Sequence, residues 1–169
     1  MHRKKWTFVP QPRRDPDERL PHPDSALPVF GHFPEIKVKN GPLFPSGEIV
    51  LAYGQHLGPN RGFGFQHIWV EHFRRIEEHE AALERISGFV AGILRPRTPI
   101  YYELGSRAAI FRGSAGQVIV ELRDEPNPFY SVVTAFVAHR VHGDRVGALS
   151  VPEKPKAPTE GLSDETLET

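Results

Sequence analysis

Apolar and polar positions change period along this chain. Phe65, Ile68, Trp69, Phe73 and Ile76 recur at helical spacing, and so do Leu83, Ile86, Phe89, Val90, Ile93 and Leu94 in AALERISGFVAGIL. Pro96 and Pro99 stop the second run. From Pro99 the period falls to two, which predicts four strands: PIYYEL (99–104), RAAIFRG (107–113), QVIVELR (117–123) and FYSVVTAFVAHR (129–140). Ser114-Ala115-Gly116 is a tight turn between the second and third, and residues 124–128 form a longer loop before the last. GEIVLAY (47–53) reads as a short strand ahead of the helices. Helices followed by a meander predict an α+β fold, with N-terminal helices packed on a four- to five-stranded antiparallel sheet.

Proline sets the expected boundaries. Residues 9–34 hold seven prolines among charged residues, so residues 1–45 are expected to be an extended arm or linker. Residues 46–150 are the expected folded domain. Residues 151–169, Pro-rich and then acidic, are the expected disordered tail.

Composition narrows the chemistry by exclusion. The chain has no cysteine, so it has neither a disulfide framework nor a thiolate metal site. No stretch approaches the roughly 20 apolar residues of a membrane span. Its 21 Lys and Arg balance 21 Asp and Glu, so net charge gives no argument for nucleic acid. The cations are nevertheless uneven in kind. Residues 61–150 contain eleven Arg and no Lys, and arginine presents a planar fork suited to phosphate.

The segment GFGFQHIWVEH (62–72) concentrates the candidate chemistry. At about 100° per residue, His72 falls on the apolar face of the predicted helix and Glu71 lies near His67. The glycines suggest a helix beginning near Gln66, which places His67 in the first turn. There the helix dipole disfavours protonation and leaves a neutral imidazole able to accept a proton. Spacing alone favours a polar surface His67 and a core His72 bonded to a neighbour over a catalytic pair. His67 and His72 are about 140° apart on the wheel, a poor chelating geometry, so no metal site is expected.

GFGFQHIWVEH, the helix ending in proline and the closing strand FYSVVTAFV together resemble the barnase–EndoU–colicin–RelE type of nuclease domain. The likeness is to versions carried by phage and polymorphic bacterial toxins, and it spans residues 62–137. It implies a helix-on-sheet fold and metal-independent RNA cleavage without cofactor. With neither metal nor cysteine to activate a water, the RNA's own 2′-hydroxyl is the expected nucleophile. On the matching positions it implies catalytic roles for His67, His72 and Thr134. Such nucleases often place a lysine near the scissile phosphate. This domain has none, so Arg112 and Arg107 are the candidate replacements. Tyr130 shares the strand face of Thr134 by simple alternation and is a candidate substrate-binding residue.

The implied partners are RNA, tRNA among the classes, and a cognate immunity or antitoxin protein. The implied setting is the cytoplasm of a target or host bacterial cell. Two other classes fit the residues: a non-catalytic binding or virion-associated module tethered by proline-rich arms, and a zinc hydrolase ligated by histidines.

Overall fold

Alternation from Pro99 onward produces the strands it predicts, and the chain before it adds strands that it does not. The computed structural model describes residues 14–138 and 140–150. In chain order, β1 (Gly31–Phe33), β2 (Ile36–Lys37), β3 (Leu43–Phe44), β4 (Gly47–Val50), β5 (Gln55–Gly58) and β6 (Arg61–Phe63) lead to α1 (Gly64–His72) and α2 (His79–Ile93). The meander β7 (Pro99–Tyr102), β8 (Ala108–Arg112), β9 (Gln117–Arg123) and β10 (Phe129–Phe136) follows, and then β11 (Asp144–Ala148).

The expected architecture of helices on a four- to five-stranded antiparallel sheet is not what forms. The main sheet has seven strands in the order β1-β4-β10-β9-β8-β7-β11, curled into a half-barrel, and the chain is mostly sheet. It is also mixed, because β4 runs parallel to β10 with Ile49 opposite Tyr130 and Val50 opposite Ser131. Two further hairpins, β2–β3 and β5–β6, stand outside it. The meander supplies four strands, but β4 and β1 extend it at one side and β11 at the other.

Residues 14–45 alternate turns with short strands and are not an arm. Leu20, Phe30, Phe33, Ile36 and Phe44 are all buried in the main core. Phe33 stacks on Tyr130 with ring centroids 4.0 Å apart and meets Phe111 edge-on at 5.8 Å. Upstream, the Leu20 N–H donates to the Leu51 carbonyl and the Tyr53 N–H to that of Glu18. Proline does not forbid this. It excludes a chain from helices and from central strands, whereas β1 is a three-residue edge strand between Pro28 and Pro34. Residues 1–13 of the expected arm and the tail from residue 151 lie outside the described residues.

The first helix is shorter than its apolar spacing suggests. It ends at His72, so Phe73 and Ile76 lie beyond it. The Phe73 N–H still reaches the Trp69 carbonyl, and the Trp69 indole donates to the Ile76 carbonyl at 2.8 Å. These bonds turn the chain towards α2, whose Ala82, Ile86, Val90 and Ile93 are buried.

Phe33→Ala removes a fully buried ring from this core, and such truncations cost about 3–5 kcal/mol. Denaturant unfolding is expected to show that loss in a single transition. An unchanged midpoint would show that the N-terminal segment is an appendage after all.

Candidate functional site

The β5–β6 hairpin and α1 are held together at glycine. Gly62 has φ +136° and Gly64 φ +74°, both in the region that side chains rarely adopt. A Cβ on Gly62 would collide with the Gln55 carbonyl oxygen and come within 2.9 Å of His67 Nδ1. One on Gly64 would meet the Ala52 carbonyl. Helix α1 therefore starts directly on the end of β4, with Phe65 N–H on the Ala52 carbonyl and Gln66 N–H on that of Tyr53. It packs against β5, β6 and β10 together.

This packing buries one histidine and brings a second one to it. His67 is 5% exposed, and its Nδ1 lies 3.2 Å from Nδ1 of His56 on β5. Glu71, one turn along α1, places Oε1 3.9 Å from the same His56 nitrogen. The backbone N–H of Asn60 donates to that oxygen at 3.2 Å and fixes the carboxylate. Burial holds the His67 pKa below the usual histidine value. Glu71 and a backbone hydrogen bond to Arg61 oppose that shift, while His56 adds to it. The net result is a neutral imidazole, able to accept a proton or to ligate a cation.

A cleft of about 370 Å³ opens at the other end of α1, lined by Glu71, His72, Arg74, Arg75 and Arg85. All three arginines are exposed. Glu71 belongs to both features, so the cleft adjoins the histidine pair through that side chain.

The expected residues fall in different places. His67 and Glu71 share a side of α1, as their spacing predicts, but His56 carries no periodic signal and was not anticipated. His72, expected in the core, is exposed at the end of α1 with its ring 5.1 Å from that of Phe136. His67, expected in the first turn where periodicity fixes no direction, is buried because the hairpin covers it. Partial desolvation still lowers the His72 pKa, with Glu71 opposing.

Tyr130 cannot bind substrate where it sits. It is fully buried, its hydroxyl donates to the Pro45 carbonyl at 2.6 Å, and burial pushes its pKa up. Simple alternation had placed it beside Thr134. A register shift between Val132 and Thr134 instead turns Thr134 and Phe136 off the face of Tyr130 and Val132, and brings Ala135 inward. Thr134 Oγ1 is the buried side-chain polar atom without a hydrogen-bond partner among the described residues.

The two strand arginines are also separated. Arg112 ends β8 in the register row of Gln117 and Phe136, at the His72 end of the sheet. Arg107 lies in the turn before β8, exposed, at that strand's other end. The arginines flanking the site, Arg74, Arg75 and Arg85, come from the helical region instead. His139 lies outside the described residues, within which no helix is long and apolar enough to cross a membrane. Comparison with protein-family models, curated proteins and solved structures finds no match to this chain.

Both His67 and His72 titrate below the ordinary histidine value in the folded chain. Between those lowered values and about 6.5 the unfolded chain binds protons that the native state refuses, so stability rises with pH there and falls in acid. The unfolding midpoint is expected to drop from pH 7 to pH 5, and less steeply in His67→Gln. An equal slope in that variant would remove His67 as a source of the dependence.

Proposed function

We propose that the domain cleaves RNA, with the His56–His67 pair as proton acceptor and the arginine-lined cleft as the seat of the phosphate backbone. The observation that carries this reading is the buried, neutral His67 held 3.2 Å from His56 and braced by Glu71. An imidazole so placed is suited to general-base work near neutral pH. His56 is the more open member of the pair and the one that would meet the substrate.

RNA suits this equipment because it carries its own nucleophile. The 2′-hydroxyl lies beside the phosphate, so proximity favours its attack. The pair takes the 2′ proton as the 2′ oxygen bonds to phosphorus. The bond from phosphorus to the 5′ oxygen breaks, and His72, exposed in the cleft, protonates the departing oxygen from its imidazolium form, the minor form near neutral pH because its pKa is lowered. Arg74, Arg75 and Arg85 offset charge on the non-bridging oxygens. Thr134 Oγ1, buried on the strand against which α1 and β6 both pack, is an uncommitted hydroxyl that a phosphate oxygen reaches only when that packing opens. Arg112 and Arg107, which the resemblance nominated, lie on the sheet and its turn rather than among the cleft residues.

RNA is expected to be cut in excess EDTA to 2′,3′-cyclic phosphate and 5′-hydroxyl ends. A single 2′-deoxy substitution at the cleaved nucleotide should stop cutting there. His67→Ala should lower the rate about 10²–10⁴-fold, the usual effect of losing a general acid or base. Mass spectrometry showing 5′-phosphate ends, or unimpaired cleavage by His67→Ala, would overturn the mechanism.

Thr134→Val separates catalysis from folding. Replacing an unpartnered buried hydroxyl by an isosteric methyl costs no hydrogen bond, so stability should hold or rise while cleavage falls. A variant as active as the parent would show that the hydroxyl plays no part.

A further inference from the structure

We infer that His56, His67 and Glu71 form a site for a divalent cation of the zinc class. Each offers one donor atom, and the three donors lie within 4.8 Å of one another. Two nitrogens bound to one tetrahedral zinc, each about 2.0–2.1 Å from the metal, stand about 3.3–3.4 Å apart. The two Nδ1 atoms here are 3.2 Å apart. The Glu71 oxygen, 3.9 Å from His56 Nδ1, needs to close by about half an ångström to reach the same tetrahedral edge.

The chemistry of the donors selects the ion. Two imidazoles and one carboxylate suit zinc, cobalt or nickel. Magnesium and calcium require shells made of oxygen. The surroundings also resemble the support that metal ligands receive. The Asn60 N–H holds the Glu71 carboxylate, and the Arg61 backbone takes a hydrogen bond from the His67 ring. Three protein donors leave a fourth tetrahedral position for water or another ligand.

Occupancy has a consequence for the same residues, and this part rests on the proposed ribonuclease reading. An ion bound to Nδ1 of both histidines takes the lone pairs that would accept the 2′ proton. The cation is therefore an inhibitor, and metal removal activates.

The test uses the full chain after chelator treatment, with cobalt followed by its visible absorption and zinc by calorimetry. One ion per chain with a tetrahedral cobalt spectrum is expected, magnesium giving no heat. His56→Ala should abolish binding, and Glu71→Gln, which exchanges an anionic donor for a neutral amide oxygen, should weaken it. Circular dichroism confirms that each variant folds. Should His56→Ala fail to fold, Glu71→Gln decides. Absence of a cobalt spectrum, or binding undiminished in the folded variants, overturns the site. A chain that binds zinc as described and never cuts RNA upholds the site and fails only the catalytic reading. Cleavage that proceeds unchanged with zinc bound overturns the inhibitory role.

Discussion

The close backbone approach between residues 52–55 and 62–64 is the constraint on which the site depends. The chain leaves the sheet at the end of β4, turns back through a short hairpin and starts a helix where it left. Only residues without a Cβ fit at Gly62 and Gly64, where carbonyl oxygens of Gln55 and Ala52 occupy the space. Backbone strain of this kind costs of order 1–3 kcal/mol for an ordinary side chain. The return places β5 over the first turn of α1, so a histidine eleven residues upstream meets His67. Without the tight approach there is a hairpin and a helix, but no pair.

The same geometry explains the electrostatics. An isolated buried imidazole resists protonation, and here the hairpin supplies the burial. A carboxylate within reach pulls the other way, and Glu71 is fixed by the Asn60 N–H from the turn of that hairpin. The site is thus built from one local unit, residues 52–72, seated on the rest of the fold through β4 and β10. The rest is a sheet core, and Phe33 stacked on Tyr130 shows that the N-terminal segment completes it.

What was legible in the sequence follows from how each element is stabilised. Strands β7 to β10 pair with their chain neighbours, and β7 and β8 bury alternate residues, so the period of two is written locally there. β1, β2, β3 and β6 have two or three residues each, too few to show a period, and β1 and β11 pair with strands distant in the chain. Proline density pointed to an extended arm, and residues 14–45 instead alternate short strands with turns. The burial of Phe30, Phe33 and Phe44 depends on a sheet that forms far downstream. Helical periodicity presumes one buried face. α1 has two, one against β10 and one under the hairpin, which is why periodicity put His72 on the buried face and left His67 without a side. Strict alternation likewise missed the bulge that parts Thr134 from Tyr130.

That bulge leads to the last step. Thr134 is carried on a strand whose neighbours would accept valine, and its hydroxyl is buried without a partner. An unpaired buried hydroxyl costs about 1–3 kcal/mol relative to one that is satisfied. Tyr130, four residues earlier, shows how the same strand meets this requirement, with its hydroxyl bonded to the Pro45 carbonyl. The difference is where each group faces. Tyr130 points into a core that contains an acceptor, whereas Thr134 has been turned by the bulge off the face of Tyr130 and Val132, on the strand against which α1 and β6 pack. A donor left without an intramolecular acceptor is a liability to the fold alone. Under the proposed ribonuclease reading its acceptor is a phosphate oxygen, which must part the packing around β10 to reach it.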